Sequence, residues 1–108
     1  MKVLKNYLIR PEQPVLQGHF PGRPILPGVM LLWFVRDTLC DRLGRRCRIK
    51  SIVRHKFVKP VLPGDNIRIE CELKHSDFAT LCPVNCRLFD QDNTLIASGA
   101  YQIEFLPS

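Results

Sequence analysis

Apolar positions along the chain change period twice. From Val29 to Leu43 they cover nearly the whole circumference of a helix, and only the last turn, with Asp41 and Arg42, is polar. Pro27-Gly28 opens this segment, and Gly44 stands where a C-cap glycine belongs. A helix that is apolar on almost every side is a buried one. Elsewhere the pattern is that of strands. Val3–Ile9 reads as a first strand, ended by Pro11 and Pro14, and Val15–Pro27 as a loop dense in turn residues. Arg48–Val61 holds a β-rich run ending at Pro60, and Pro63-Gly64-Asp65 is a turn. Ile67, Ile69, Cys71 and Leu73 then alternate with Arg68, Glu70 and Glu72. Cys82, Val84, Cys86 and Leu88 share one face of a strand over Thr80–Leu88, in which Pro83 predicts an edge position or a bulge. Asp90–Asn93 reads as a hairpin turn, and Leu95, Ala97, Gly99, Tyr101, Ile103 and Phe105 as the inward face of a last strand.

One long helix and about five strands follow. A helix apolar all round cannot lie on a flat sheet with its back to water. The sheet must curl around it, or a second sheet or second copy must cover it. The expected class is therefore α+β, with a curved antiparallel sheet wrapped around one buried helix.

Length and charge narrow the function. At 108 residues the expectation is one domain, residues 1–108, with a modest core that dimerisation would help. The longest apolar run, Val29–Val35, is too short to span a bilayer. Lys5, Asn6 and Arg10 interrupt the N-terminal apolar residues, so no signal peptide is expected and a cytoplasmic location is. The five cysteines are odd in number and contain no CxxC pair, which argues for core thiols over disulfides or a metal site. The net charge of +6 suits an acidic partner. With nine aromatics and no nucleic-acid motif, that partner is expected to be an acidic protein, not a nucleic acid. The cations are scattered apart from Arg45, Arg46, Arg48 and Lys50.

The candidate chemistry lies in GHFPGRPILPGV, Gly18–Val29, which sets His19 among prolines and glycines immediately before the helix. A histidine in a turn is commonly structural or merely exposed, and His55 and His75 are read that way. His19 has a frame the others lack. The stretch resembles the signature of hot-dog 3-hydroxyacyl-[acyl-carrier-protein] dehydratases, and most of all the dehydratase-like proteins of aryl-polyene and related pigment pathways. His19, Phe20, Pro21, Gly22, Pro24, Pro27 and Gly28 fall in register. KFVKPVLPGD, Lys56–Asp65, resembles the family's downstream strand and turn.

The resemblance implies a dimeric hot-dog fold and a lyase of fatty-acid or polyene-type lipid synthesis. It implies an acyl carrier protein as partner, a homodimer or higher oligomer, no membrane, and no cofactor. In that scheme His19 takes the α-proton of a 3-hydroxyacyl thioester. The Gly28 N–H holds the thioester carbonyl at the helix N-terminus, where free N–H groups favour developing negative charge. Phe20 and Trp33 join Gly28 in binding substrate. Arg23 and the Arg45–Lys50 cluster are candidate carrier contacts.

The sequence departs from the family at one position. The dehydratases place a carboxylic acid on the buried helix fourteen residues after the histidine, acting on the site of the other subunit. Here that residue is Trp33, which cannot protonate a leaving hydroxide. Three readings stay open. Asp37, one turn further and about 6 Å along the axis, replaces the acid, with Asp41 and burial raising its pKa; the alternative for Asp37 is that it simply begins the polar end of the helix. Or His19 acts alone, as in isomerisation or thioester hydrolysis. Or catalysis is lost and the chain is a binding subunit for an acyl group or its carrier. Dehydration is the expectation, with a non-catalytic subunit next and an acyl thioesterase third.

Overall fold

The computed structural model describes residues 1–10, 28–75 and 81–107. The readings placed on Val15–Pro27, including base His19 and Phe20, lie outside the described residues. The elements are β1 (Lys2–Leu8), α1 (Met30–Leu43), β2 (Cys47–Phe57), β3 (Asn66–Leu73), β4 (Leu81–Phe89) and β5 (Leu95–Phe105). The strands form one antiparallel sheet in the order β1-β3-β4-β5-β2.

This is the α+β architecture that the periodicity called for, one antiparallel sheet with a single helix, and it is the hot-dog fold that the resemblance implies. The curvature follows from what the helix touches. α1 packs against β1, β3 and β2, and β1 and β2 are opposite edges of the sheet. Laid flat, edges four strand spacings apart would be separated by about 19 Å. A helix about 10 Å across meets both edges only if the sheet curls. Leu31, Phe34, Val35 and Leu39 enter the core from α1. They meet the inward faces read from the alternation: Ile67, Ile69, Cys71 and Leu73, then Cys82, Val84, Cys86 and Leu88, then Ala97, Tyr101 and Ile103. The cysteines are free thiols, and four of the five are buried. Their place in the core is the one the sequence assigns them.

Gly44 ends α1 in the left-handed conformation, φ 64°, its N–H bonded to the Cys40 carbonyl. Gly64, φ 91°, makes the turn before β3, where a side chain would be strained. That turn is pinned to the end of β1 by Gly64 N–H to the Ile9 carbonyl and Ile9 N–H to the Asp65 carbonyl, 2.6 and 2.9 Å.

Two expectations change. Pro83 sits in β4, which is interior to the sheet and has no bulge at that point. The proline is tolerated because β3 pairs with β4 only as far as Leu73↔Val84. Beyond that, the Pro83 carbonyl accepts from the Lys74 N–H at 3.0 Å. The N–H that proline lacks would point to this same side, where the ladder has ended. The helix, second, is not buried all round in the single chain. Its outer stripe carries Val29, Trp33 and Arg36, and Trp33 is 47% exposed.

Candidate functional site

α1 runs antiparallel to the edge strand β2, so the two share a long border. Gly28 lies beside Phe57 at the start of the helix, and Cys40 lies beside Cys47 at its end, Sγ to Sγ 3.2 Å. Burial and the neighbouring Cys40 thiol push the Cys47 thiol up to about 12, so it is protonated at neutral pH. Between these ends the helix and strand leave an open groove of about 540 Å³, lined by Leu32, Trp33 and Arg36 from α1 and by Arg48–Ile52 from β2. The indole stands edge-on to Phe34 at 5.2 Å. Leu32, Trp33, Ile49 and Ile52 give the groove apolar walls, and Arg36, Arg48 and Lys50 make it cationic.

Asp37 is not in this groove. One residue beyond Arg36, it is turned toward β1. There its Oδ2 accepts from the Tyr7 hydroxyl at 2.6 Å and from Lys5 Nζ at 3.0 Å. Lys5 also reaches Asp41 at 3.3 Å, and the Tyr7 hydroxyl lies 3.0 Å from Thr38 Oγ1. The expected rise in the Asp37 pKa is overturned. Burial does push it up, but the Tyr7 hydroxyl and Lys5 outweigh that and hold it below the usual carboxylate range. The same bonds raise the Lys5 ammonium, through Asp37 first. Asp37 is therefore an ionised anchor between α1 and β1. The sequence hid this because its partners lie 30 and 32 positions upstream.

Replacing Asp37 with asparagine is expected to lower stability by about 1 kcal/mol, below the ~1.5–3 kcal/mol of a hydrogen bond to a charged group because the pair is partly exposed and screened by solvent. The loss should be present at pH 7 and vanish in acid. A carboxylate whose folded pKa is depressed stabilises above its unfolded pKa, 3.8, and loses that contribution as the pH falls through the folded value. Thermal melts of both proteins at pH 7 and near pH 3 measure it; equal melting at pH 7 would remove the anchor role.

Gly28 has a neighbour that the sequence did not suggest. A Cβ there would lie 2.6 Å from Phe57 Cε1 and 2.8 Å from its Cζ, so the missing side chain makes room for this ring. Phe57 in turn meets His55 edge-on at 4.2 Å. His55 Nδ1 is hydrogen-bonded to the Tyr101 hydroxyl, and its buried Nε2 has no hydrogen-bond partner among the described residues. The start of α1 thus rests on a Phe57–His55–Tyr101 cluster. Alternation in RHKF puts His55 and Phe57 on one face, but the sequence gives no sign that Tyr101 meets them.

Burial lowers the His55 pKa and favours the neutral ring. The unfolded chain binds that proton near pH 6.5, and the folded chain only at lower pH. Stability is therefore expected to decline as the pH falls through 6.5 to the folded value. Melts between about pH 7.5 and about pH 5.5 should show this decline in the wild type, and a shallower one in His55→Gln. Identical slopes would contradict it.

Of the residues given a catalytic or substrate-binding role, Gly28, Trp33 and Asp37 are described. The structure places them at three separate points of α1: on Phe57, in the groove with β2, and on β1. Among the described residues no group of His, Cys, Asp or Glu side chains is arranged to hold a metal ion, and no helix is long and apolar enough to cross a membrane.

Known proteins resemble the chain in sequence and in shape. The profile of a family described as ApeI dehydratase, ApeI-like, matches residues 2–100. A 3-hydroxyacyl-[acyl-carrier-protein] dehydratase FabZ from Acetivibrio thermocellus is 37% identical over 64% of this chain and 51% of its own length. The FabZ of Lawsonia intracellularis is 32% identical over 92% of this chain and 69% of its own. The chain thus spans about half the length of the first of these relatives. Among solved structures, the dehydratase heterocomplex ApeI:P from Xenorhabdus doucetiae superposes with a TM-score of 0.76 at 22% identity, covering 94% of this chain and 86% of that one. At that identity the likeness speaks for the fold alone.

Proposed function

The chain belongs to the ApeI-like dehydratase family, and from that premise we propose that it takes part in dehydrating 3-hydroxyacyl thioesters held on acyl carrier protein. The observation that carries the proposal is one of register. The family's histidine motif ends at Gly28, and α1 begins there: the Gly28 carbonyl accepts from the Leu31 N–H at 3.0 Å, and Met30 is the first helical residue. The helix N-terminus, with its partial positive charge, stands where the resemblance asks for a group that holds the thioester carbonyl.

In this reading His19 removes the proton from C2 of the substrate. Negative charge moves to the thioester oxygen, held by the Gly28 N–H. As the C2–C3 double bond forms, the C3–O bond breaks, and the hydroxyl leaves as water once it gains a proton. Phe20 and Trp33 are assigned to substrate binding by the resemblance. The elimination is redox-neutral and calls for no cofactor. The +6 charge and the cations of the groove favour an acidic carrier.

The proton for the leaving hydroxyl needs another source. Trp33 has none to give, and Asp37 is held ionised on β1. Two copies of this chain would both lack the acid. We therefore place the site between two hot-dog chains, one supplying His19 and the other an acid on its helix. The matched heterocomplex from Xenorhabdus doucetiae is an assembly of this kind in so far as it joins two different chains. The same two facts about Trp33 and Asp37 favour a second reading, in which the chain binds the acyl carrier and its partner does the chemistry.

The two readings separate on His19. A 3-hydroxyacyl carrier thioester is incubated with this chain together with a copy bearing Trp33→Glu, and the enoyl thioester is measured. Placing His19→Ala in both chains is expected to lower turnover by about 10²–10⁴. Turnover that survives this change would overturn His19 as the base. No turnover in any combination would favour the binding subunit.

A further inference from the structure

Two pairs of thiols lie in contact, and the fold encloses them to different degrees. Within the sheet, Cys71 and Cys86 are Cα partners across β3 and β4, their sulfurs 2.9 Å apart. Both are buried. At the end of the border between α1 and β2, Cys40 and Cys47 bring their sulfurs to 3.2 Å. Cys47 is buried as well, but Cys40 is the one cysteine of the five that is not. It follows Arg36 by one turn, on the stripe of α1 that faces β2.

Backbone bonds hold this second contact from both sides. The Cys40 carbonyl accepts from the N–H groups of Gly44 and, at 3.3 Å, of Arg45, which close the helix. Cys47 is paired with Phe105 of β5, and the carbonyl of the preceding Arg46 accepts from the Leu106 N–H at 2.9 Å. The two sulfurs are therefore kept together by a fixed turn, about 1 Å beyond bonding distance. Reactive cysteines are partly exposed ones. Cys47 is enclosed and protonated, so a reagent from solution meets Cys40 first.

We infer that Cys40 and Cys47 form an oxidation site, a dithiol that a hydroperoxide converts to a disulfide joining the end of α1 to the start of β2, while Cys71 and Cys86 stay reduced in the folded chain. The Cys40 thiolate attacks the peroxide, the O–O bond breaks, and Cys40 becomes a sulfenic acid as water or an alcohol leaves. The Cys47 sulfur then attacks the sulfenic sulfur. The S–O bond breaks, and the Cys47 proton departs with the hydroxyl as water. Each sulfur gives up one electron, and the peroxide takes both. Exchange with an external dithiol reverses the bond. The crosslink joins positions seven apart and restricts the unfolded chain, so the oxidised form is the more stable one.

Hydrogen peroxide added to the folded full-length chain tests this, with each cysteine followed by peptide mapping without reduction. A Cys40–Cys47 bond, lighter by two hydrogens, is expected to form at least about tenfold faster than any bond between Cys71 and Cys86. The melting midpoint should rise by about 5–10 °C and fall back on addition of dithiothreitol. Cys40→Ser should abolish both changes, and in Cys47→Ser the reaction should stop at a Cys40 sulfenic acid that dimedone traps. If a variant does not fold, wild type with and without dithiothreitol decides. Oxidation of Cys71 and Cys86 ahead of Cys40, Cys40 crosslinked between two chains, or a Cys40–Cys47 bond that leaves the midpoint unmoved overturns the inference. So does a Cys40 that peroxide leaves untouched, as it would be if another chain covered it.

Discussion

Glutamate at position 33 is expected to raise dehydration of a 3-hydroxyacyl carrier thioester by the chain on its own about 10²-fold. The reaction as proposed has a base and a carbonyl-holding helix end but no acid, and a positioned acid contributes ~10²–10⁴ to such a step. The gain should sit at the lower end of that range because of the groove. Arg36, Arg48 and Lys50 line it with Trp33, and cations of that kind keep a carboxyl ionised when it should be protonated. Arg36→Gln added to Trp33→Glu should therefore raise the rate further, by moving the new acid's pKa toward the working pH. The substitution is not expected to endanger the fold. Trp33 is half exposed, and its ring contact is with the edge of Phe34 at 5.2 Å, so a loss within about 1 kcal/mol is expected. Enoyl formation and a thermal melt on the same samples check both halves. A well-folded Trp33→Glu protein with no gain in rate would mean that position 33 does not face the reacting hydroxyl. A glutamate at position 37 instead of 33 should give no gain, since that side chain starts toward β1 and the Lys5–Tyr7 pair.

The contrast between positions 33 and 37 also shows how far the sequence could be read. The ends of α1 were legible because they are written in local chemistry: Gly28 before the first turn and Gly44 in a left-handed cap. The inward faces of β3, β4 and β5 were legible because one face of the sheet is covered by the helix, which forces a period of two. What lay beyond reach was every contact set by register across the sheet. Lys5 and Tyr7 meet Asp37 because β1 lies beside the helix, a fact of topology that no local pattern carries. An apolar run read as a buried helix could not say that one stripe, at Trp33, stands open in the single chain. Pro83 followed a sound rule about edges, but the rule concerns the missing N–H, and β3 pairs with β4 only as far as Val84, one residue short of Pro83. The functional motif was legible by its density, and the missing acid by a count of residues. That β2 borders the groove, and brings Arg48 and Lys50 to it beside Arg36, required the fold.

Alanine at Gly99 is expected to destabilise the protein by about 3 kcal/mol, more than its size suggests. Gly99 and Tyr101 lie on the same inward face of β5, and the tyrosine ring leans back over the glycine. A Cβ at 99 would stand 2.1 Å from the Tyr101 hydroxyl oxygen, 2.4 Å from its Cζ and 3.0 Å from the Arg54 carbonyl oxygen. Tyr101 is 1% exposed, so its ring cannot swing into water without emptying part of the core, and the carbonyl belongs to the neighbouring strand, where Gly99 pairs with His55. Overpacking of this kind costs about 1–3 kcal/mol. Displacing the hydroxyl also breaks its bond to His55, and a buried polar group left without its partner adds about 1–3 kcal/mol. For a domain near this length, 3 kcal/mol corresponds to a fall in Tm of about 10–20 °C. Shortening the tyrosine should recover part of the loss: Gly99→Ala with Tyr101→Leu is expected to be more stable than the two single changes predict by addition, which a double-mutant cycle measures. A Gly99→Ala protein that melts within a few degrees of wild type would rule out this packing. Because Phe57 rests on His55 and fills the space above Gly28, the same crowding should reach the start of α1. Turnover of the folded variant should then fall although position 99 is remote from the groove, and its recovery alongside stability in the double variant would tie the Phe57–His55–Tyr101 cluster to the placement of the helix end.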